Sequence, residues 1–237
     1  MVIMSEDPVK IKLRSAFVSF VILFSMLMVS FPIQLFFIDY LGHDKQFISY
    51  FFIASLIPFL LLFNYFRKKK VIDFKDIGFI KTDLKKNIVY GITLGVFVGL
   101  LGWFLRWLLH IKTGVIPEGT EVVIFFYLFF SACISPPIWE EIAVRGLFFN
   151  AVKNITDISE KLKKSKYLQK TLIILIVSVF FLMAHIDREP KPMIVIFITS
   201  IFYTAAYYKT RNIALPIVAH FFYNLFVILQ PYVFTIV

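Results

Sequence analysis

The chain has little of what soluble enzymes commonly depend on. Its 237 residues include a single cysteine, Cys133, which excludes an intramolecular disulfide and a metal cluster built on cysteines. Only 17% of the residues are charged. The sequence has no detectable internal repeat, no low-complexity tail and no stretch with the composition of a soluble domain. Internal repeats are typical of many transporters, so their absence argues against that class.

Apolar residues dominate instead. They make up 59% of the chain, with 30 phenylalanines, whereas soluble domains contain about 45–50% apolar residues. Long, nearly uncharged runs occur at residues 16–38, 47–66, 88–111, 122–152, 171–184, 193–208 and 213–237. Such runs are typical of membrane-spanning helices, which need about 20 residues. The sequence therefore predicts one all-α polytopic membrane domain over residues 1–237, a bundle of about seven (six to eight) transmembrane helices.

The basic residues cluster between the apolar runs. The formal net charge of +10 comes largely from residues 67–87, 153–170 and 209–211. Positively charged loops orient membrane helices and remain on the cytoplasmic side. We therefore predict a cytoplasmic N-terminus, the lipid bilayer as the surroundings, and no nucleic-acid partner. The abundance of Lys, Ile and Phe is typical of an AT-rich bacterial genome, which favours the bacterial cell membrane as the location.

The chain divides into an N-terminal part and a part that carries the unusual polar residues. Residues 1–87 contain two spans and a basic segment in which residues 71–79 mix apolar and charged side chains. This mixture predicts a segment lying at the membrane surface. The next span opens the motif-bearing core, residues 88–224, with Gly91, Gly95 and Gly99 at four-residue spacing. That glycine face predicts the close approach of another helix.

The most unusual stretch is residues 136–146, where three charged side chains lie inside an apolar run. A charge at the centre of a membrane helix costs about 2.5–3.5 kcal/mol. Glu141 and Arg145 are four residues apart with the acid first, so we predict that they pair. Glu140 faces about 100° away and is left for chemistry. Pro136 and Pro137 are expected to kink or break the run.

Two further polar pairs lie within apolar runs. His185 follows Phe181 by four residues, and His220 precedes Asn224 by four residues on one helix face. Counted from the basic loops at about 1.5 Å per residue, Glu140 lies roughly 20 Å and His185 roughly 22 Å along their helices. The second pair lies roughly 14 and 20 Å along its own helix by the same rise. A carboxylate, two imidazoles and a carboxamide at a similar depth predict a hydrolytic site inside the bundle.

The other two histidines, His43 and His110, lie near span ends, where we expect interfacial roles.

Together, these three motifs resemble those of the CPBP family. The family comprises the CAAX prenyl endopeptidases and bacterial proteins linked to bacteriocin processing or self-immunity. The motif residues occur in the family's order and on separate spans, and they are Glu140-Glu141-x-x-x-Arg145, Phe181-x-x-x-His185 and His220-x-x-x-Asn224. The resemblance implies a multi-span intramembrane endopeptidase whose substrate is a membrane-associated peptide or protein.

The resemblance also implies roles for these residues. Glu140 would be the general base that activates a water molecule. His185 and His220 would hold that water or stabilise the oxyanion, and Asn224 would assist as a hydrogen-bond donor. The supporting residues would be Glu141, Arg145 and Phe181. We expect no cofactor.

Zinc is the alternative to metal-free catalysis. Its ligands would be Glu140, His185 and His220, since two histidines and a glutamate are a known catalytic zinc set. The His-Glu-x-x-His signature of many zinc proteases is absent from the sequence.

Two other classes of function use the same residues. A non-catalytic immunity or scaffolding protein would bind a peptide in the same bundle. A transporter would use the buried Glu and His residues as a proton relay.

Overall fold

The computed structural model describes residues 7–35, 56–111, 121–186 and 188–234. Most of these residues are helical, and none of them forms a strand. The helices are α1 (Pro8–Leu35), α2 (Leu56–Lys68), α3 (Leu84–Leu108), α4 (Glu121–Leu128), α5 (Ser135–Glu141), α6 (Phe149–Thr156), α7 (Glu160–Lys164), α8 (Lys166–Met183), α9 (Pro190–Thr210) and α10 (Ala214–Phe234). A 3₁₀ turn covers Phe74–Ile77, and π-helical turns cover Phe129–Ile134 and Ile142–Phe148.

Five of the described helices, α1, α3, α8, α9 and α10, are long and apolar enough to cross a membrane. They correspond to five of the seven predicted runs. The second run is described only from Leu56 onward, as α2. The fourth run is carried by α4, α5 and α6 with their intervening π-helical turns. The predicted class, an all-α polytopic bundle, is confirmed. One residue with a predicted interfacial role, His43, lies outside the described residues.

The fourth run stays helical through both prolines. We call residues 121–156 the motif helix, because α4, α5 and α6 follow one another through the two π-helical segments without a break. Of the two outcomes that the prolines predict, the break is therefore wrong, and the kink stays a prediction. Pro136 and Pro137 lie at the start of α5, directly after a π-helical segment. The first positions of a helix tolerate a residue without an N–H, and π-helical turns commonly accommodate such irregularities.

The glycine face of α3 packs against α10, as its spacing predicts. A Cβ atom on Gly95 would lie 2.7 Å from the Ala219 carbonyl oxygen, and one on Gly91 would lie 2.8 Å from the Leu215 carbonyl oxygen. Neither position has room for a side chain, because real Cβ atoms do not approach backbone so closely. Since α10 carries His220, the glycine face helps to place one side of the polar site.

The segment at residues 71–79, which the sequence predicts at the membrane surface, packs part of its apolar side against the protein itself. Its apolar side chains Ile72 and Ile77 are buried in the protein. Gly78 has a φ of +87°, and a Cβ there would lie 2.6 Å from the Tyr207 hydroxyl oxygen. The Gly78 carbonyl accepts a hydrogen bond of 2.8 Å from the Ile213 N–H. The segment therefore packs on the end of the bundle, at the turn between α9 and α10.

Candidate active site

A fully buried ion pair lies beneath the polar residues of the site. Arg145 Nη1 lies 3.1 Å from Glu141 Oε1, and neither side chain is exposed. The pair that the i,i+4 spacing predicts is therefore present. Arg145 Nη2 also donates a hydrogen bond of 2.6 Å to Ser200 Oγ on α9, and the guanidinium lies 4.4 Å from the centre of the Phe181 ring. These contacts offset part of the cost of burying both charges.

His220 shares the same carboxylate. Its Nδ1 lies 2.9 Å from Glu141 Oε1, with only 6% of the residue exposed. Because an ionised carboxylate only accepts hydrogen bonds, Nδ1 carries the proton of this contact. Glu141 thereby fixes the orientation and tautomer of the imidazole and directs its Nε2 away from the carboxylate. From sequence spacing, Glu141 is expected to contact only Arg145, and its bond to His220 is an additional contact.

Glu140 occupies the other side of the imidazole. Its Oε2 lies 3.9 Å from His220 Nε2, and 18% of its side chain is exposed. That distance is longer than a hydrogen bond. This oxygen is buried, and no residue in the described part of the chain donates a hydrogen bond to it. The two adjacent glutamates therefore differ. The Glu141 carboxylate contacts both Arg145 and His220, whereas Glu140 has an oxygen without a hydrogen bond beside the His220 imidazole.

Aromatic rings enclose this polar cluster. The Phe181 ring centre lies 4.7 Å from that of His185 and 6.0 Å from that of His220. Tyr203 stacks on the imidazole of His220, with the two ring centres 5.7 Å apart. Phe181 thus contacts both histidines and the guanidinium of Arg145. An apolar wall of this kind strengthens the electrostatic interactions beside it.

His185 lies just beyond the end of α8 and is half-buried. Its Nδ1 is 2.9 Å from the Phe181 carbonyl oxygen, which accepts a hydrogen bond when that nitrogen is protonated. No hydrogen bond or ion pair joins His185 directly to Glu140 in the described residues. The structure therefore links His185 to the cluster through the Phe181 side chain and backbone, and its catalytic role remains a prediction.

Asn224 is committed to the backbone of the motif helix. Its Nδ2 donates a hydrogen bond of 2.8 Å to the Ala132 carbonyl oxygen. In an α-helix that carbonyl would accept from residue 136, and in a π-helix from residue 137. Both are prolines and have no N–H to donate. Asn224 therefore supplies the donor that Pro136 and Pro137 lack, about two turns before Glu140.

The proposed zinc ligands do not form a ready-made site. Across the described residues, no group of three His, Cys, Asp or Glu side chains is placed to hold a metal ion. Glu140 and His220 are neighbours, whereas His185 bonds to its own helix. A carboxylate on Nδ1 is nevertheless a common arrangement for a metal-bound histidine, so Glu141 would orient His220 for either chemistry. Metal-free and zinc-dependent catalysis both remain predictions.

A comparison with protein families gives the site its context. Residues 122–226 match the family model described as type II CAAX prenyl endopeptidase Rce1-like. This region is therefore similar to the Rce1-like domain of the CPBP/CAAX protease family, the family that the three motifs resemble. The match begins within the motif helix and ends in α10, so it includes every residue assigned to the site from sequence. No curated protein and no solved structure matches the chain.

This similarity indicates an endopeptidase. Together with five apolar helices of spanning length, it indicates an integral membrane protein whose substrate is associated with the membrane.

The sequence did not indicate two residues that the structure places in the site. Ser200 holds the Arg145 guanidinium, and Tyr203 stacks on His220. Both lie on α9, which carries none of the family motifs. A buried arginine needs more acceptors than one carboxylate provides, and that requirement was the available signal for a partner such as Ser200.

Proposed function

We propose that the chain is an intramembrane endopeptidase that hydrolyses a peptide bond of a membrane-associated peptide or protein through a water molecule activated by Glu140. One observation carries the proposal. The uncommitted Glu140 oxygen lies 3.9 Å from the outward nitrogen of an imidazole that Glu141 holds in place. A base beside an oriented imidazole, in an apolar enclosure, is the arrangement that hydrolysis needs.

The chemistry assigns a task to each group. Glu140 takes a proton from water, and the water oxygen attacks the substrate carbonyl carbon. His220, in its protonated form, donates from Nε2 to the developing oxyanion, and the Glu141 carboxylate stabilises the positive charge. The C–N bond then breaks, and the proton held by Glu140 passes to the leaving amine. His185 would help to hold the water, while Asn224 would keep the Glu140 turn in position.

The decisive variant is Glu140→Gln. It preserves shape and hydrogen bonding but removes the proton acceptor, and loss of a positioned base typically costs about 10² to 10⁴ in rate. The wild type, Glu140→Gln and the control Glu160→Gln, an exposed site in α7, would be produced in one bacterial host. Peptides in the membrane fraction would then be compared by mass spectrometry.

We expect cleavage products with the wild type and Glu160→Gln but not with Glu140→Gln, although all three unfold at similar temperatures in detergent. Identical products from Glu140→Gln would exclude this role for the carboxylate.

Elemental analysis separates the two hydrolytic mechanisms. We expect well under one metal ion per purified chain, and activity that survives prolonged chelation. A zinc content near one per chain that disappears in both His185→Ala and His220→Ala would assign the reaction to the metal instead.

The non-hydrolytic alternatives predict other outcomes in the same experiment. An immunity or scaffolding protein would yield no products from any variant, and a partner would still bind Glu140→Gln. A proton-coupled transporter would also yield no products, but Glu140→Gln would abolish proton-dependent uptake. A cytoplasmic N-terminus and a bacterial cell membrane remain predictions, which labelling of a terminal tag from either side of the membrane would test.

A further inference from the structure

A basic pocket lies at one end of the bundle, and none of its lining residues belongs to the active site described above. It has a volume of about 560 Å³ and is formed by the start of α1, the end of α2 with the segment that follows it, and α6. Its lining includes five cationic side chains, Lys12, Arg67, Lys68, Lys70 and Lys75. We propose that this pocket binds the phosphate headgroup of an anionic phospholipid.

The charge balance of the pocket favours an anion. Two carboxylates, Asp73 and Asp76, share the lining with the five cations. Both serve the 3₁₀ turn, since the Phe74 N–H donates to Asp73 Oδ1 and the Asp73 N–H donates to Asp76 Oδ2, each at 2.7 Å. In the described residues, neither carboxylate forms an ion pair with a pocket lysine. The pocket therefore retains a net positive charge.

The five cations are not equivalent. Lys12 pairs with Asp157 at 3.4 Å, and the Arg67 guanidinium lies 5.0 Å from the centre of the Phe74 ring. Lys68, Lys70 and Lys75 have no ion-pair partner among the described residues. These three side chains are therefore available to neutralise a phosphate, while Arg67 is held in place by the ring beneath it.

The position of the pocket favours a lipid over a soluble anion. Lys12 belongs to the first turns of α1, whose candidate span begins at Pro8, and Lys68 is the last residue of α2. A pocket at the ends of apolar helices lies at the level of lipid headgroups, where basic clusters recognise anionic lipids. From Phe20 onward, α1 also lines an apolar groove of about 470 Å³ with Phe148 and Phe180, which offers acyl chains a surface.

Headgroup binding would connect three parts of the fold. Asn150 and Asn154 of the motif helix line the pocket and donate to Ser15 on α1 at 3.4 and 3.1 Å. A phosphate held by the segment after α2 would join that segment to this interface. Since a ligand that binds only the folded state stabilises it, lipid binding should raise the unfolding temperature. This effect is independent of any hydrolysis.

The test removes the three lysines that have no ion-pair partner. The pocket variant is Lys68→Gln/Lys70→Gln/Lys75→Gln. The matched control is Lys161→Gln/Lys164→Gln/Lys166→Gln, which removes the same charge from exposed positions in and next to α7. Purified proteins in neutral detergent would be titrated with short-chain phosphatidylglycerol, short-chain phosphatidylcholine and inorganic phosphate, with unfolding temperature and native mass spectrometry as readouts.

We expect phosphatidylglycerol to bind and stabilise the wild type and the control, and to bind the pocket variant at least about tenfold more weakly, since each basic residue near a membrane surface contributes about 1 kcal/mol. Phosphatidylcholine and inorganic phosphate should give much smaller effects. Equal losses in the two triple variants would overturn the proposal, because they would indicate diffuse attraction. Equal binding of both lipids, or full stabilisation by inorganic phosphate alone, would overturn it as well.

Discussion

Two ion pairs with the same i,i+4 spacing differ in how deeply they are buried in the protein. One lies within the motif helix and the other at its C-terminal end. Glu141 and Arg145 are both fully buried, whereas the side chains of Lys153 and Asp157 are 34% and 20% exposed. The buried pair is enclosed by Ser200, Phe181 and His220, whereas the other pair is partly exposed at the C-terminal end of the motif helix. The same i,i+4 spacing is therefore compatible with both a fully buried and a partly exposed ion pair.

The difference follows from solvation. A charge in an apolar interior interacts strongly with its partner and is costly to leave alone, whereas water and salt screen a partly exposed pair. The buried pair is thus a structural requirement of the site, because it holds His220 toward Glu140. The exposed pair is one contact in a local network that includes Lys12 and Gln169.

Removing the arginine should have the largest effect. Arg145→Ala leaves Glu141 as an unpaired buried charge, which costs about 3–5 kcal/mol of the free energy of unfolding. We expect poor accumulation and a much lower unfolding temperature in detergent. Arg145→Lys should be milder but still harmful, since lysine cannot bind the carboxylate and Ser200 with a planar fork.

Lys153→Ala is the matched control, with an expected loss below about 1 kcal/mol. If Arg145→Ala were as stable as this control, the contrast between the two pairs would be wrong.

An intermediate effect is expected at Asn224, whose amide is half-buried and bonded to a backbone carbonyl. Asn224→Ala leaves the Ala132 carbonyl without its donor, at a cost of about 1–3 kcal/mol. Pro136→Ala restores a backbone N–H at the α-helical position for that carbonyl. We therefore expect Asn224→Ala/Pro136→Ala to recover stability lost in the single Asn224→Ala variant, as measured in a double-mutant cycle.

The same cycle separates support from catalysis. If Asn224 acts mainly by holding the Glu140 turn, activity should return together with stability in the double variant. Recovered stability without recovered activity would identify Asn224 as a donor to the reacting atoms, as the family resemblance implies.

The sequence predicts contacts within a helix better than contacts between helices. Glu141–Arg145 and the glycine face of α3 follow from spacing alone, because the helical repeat determines which residues share a face. The bond from His220 to Glu141 joins residues 79 positions apart. It depends on the relative rotation and depth of two helices, which spacing within either one does not determine.

Other features depend on tertiary packing in the same way. The segment at 71–79 has an amphipathic composition, and that composition is equally compatible with a membrane surface and with the end of the bundle. The two prolines do indicate that a carbonyl lacks its donor, but they do not indicate which helix supplies one. Asn224 could therefore be recognised only when α10 was placed beside Ala132.

The smallest effect is expected at Asp157. Burial of its carboxyl group acts to raise the pKa, but the hydrogen bond and charge of Lys153, with the charge of Lys12, outweigh it and lower the pKa of Asp157. A carboxylate with a lowered folded-state pKa stabilises the fold above its unfolded-state pKa, near 3.9, and this contribution disappears as the pH falls through the folded-state value.

Asp157→Asn should therefore lower the free energy of unfolding by about 0.2–1 kcal/mol at neutral pH. The difference from the wild type should shrink below about pH 4 and in high salt, because ions screen a partly exposed pair. Thermal unfolding across pH and salt would measure both trends. A loss at neutral pH as large as that of Arg145→Ala, or one that salt leaves unchanged, would show that the C-terminal end of the motif helix depends on its charges as strongly as the buried site does.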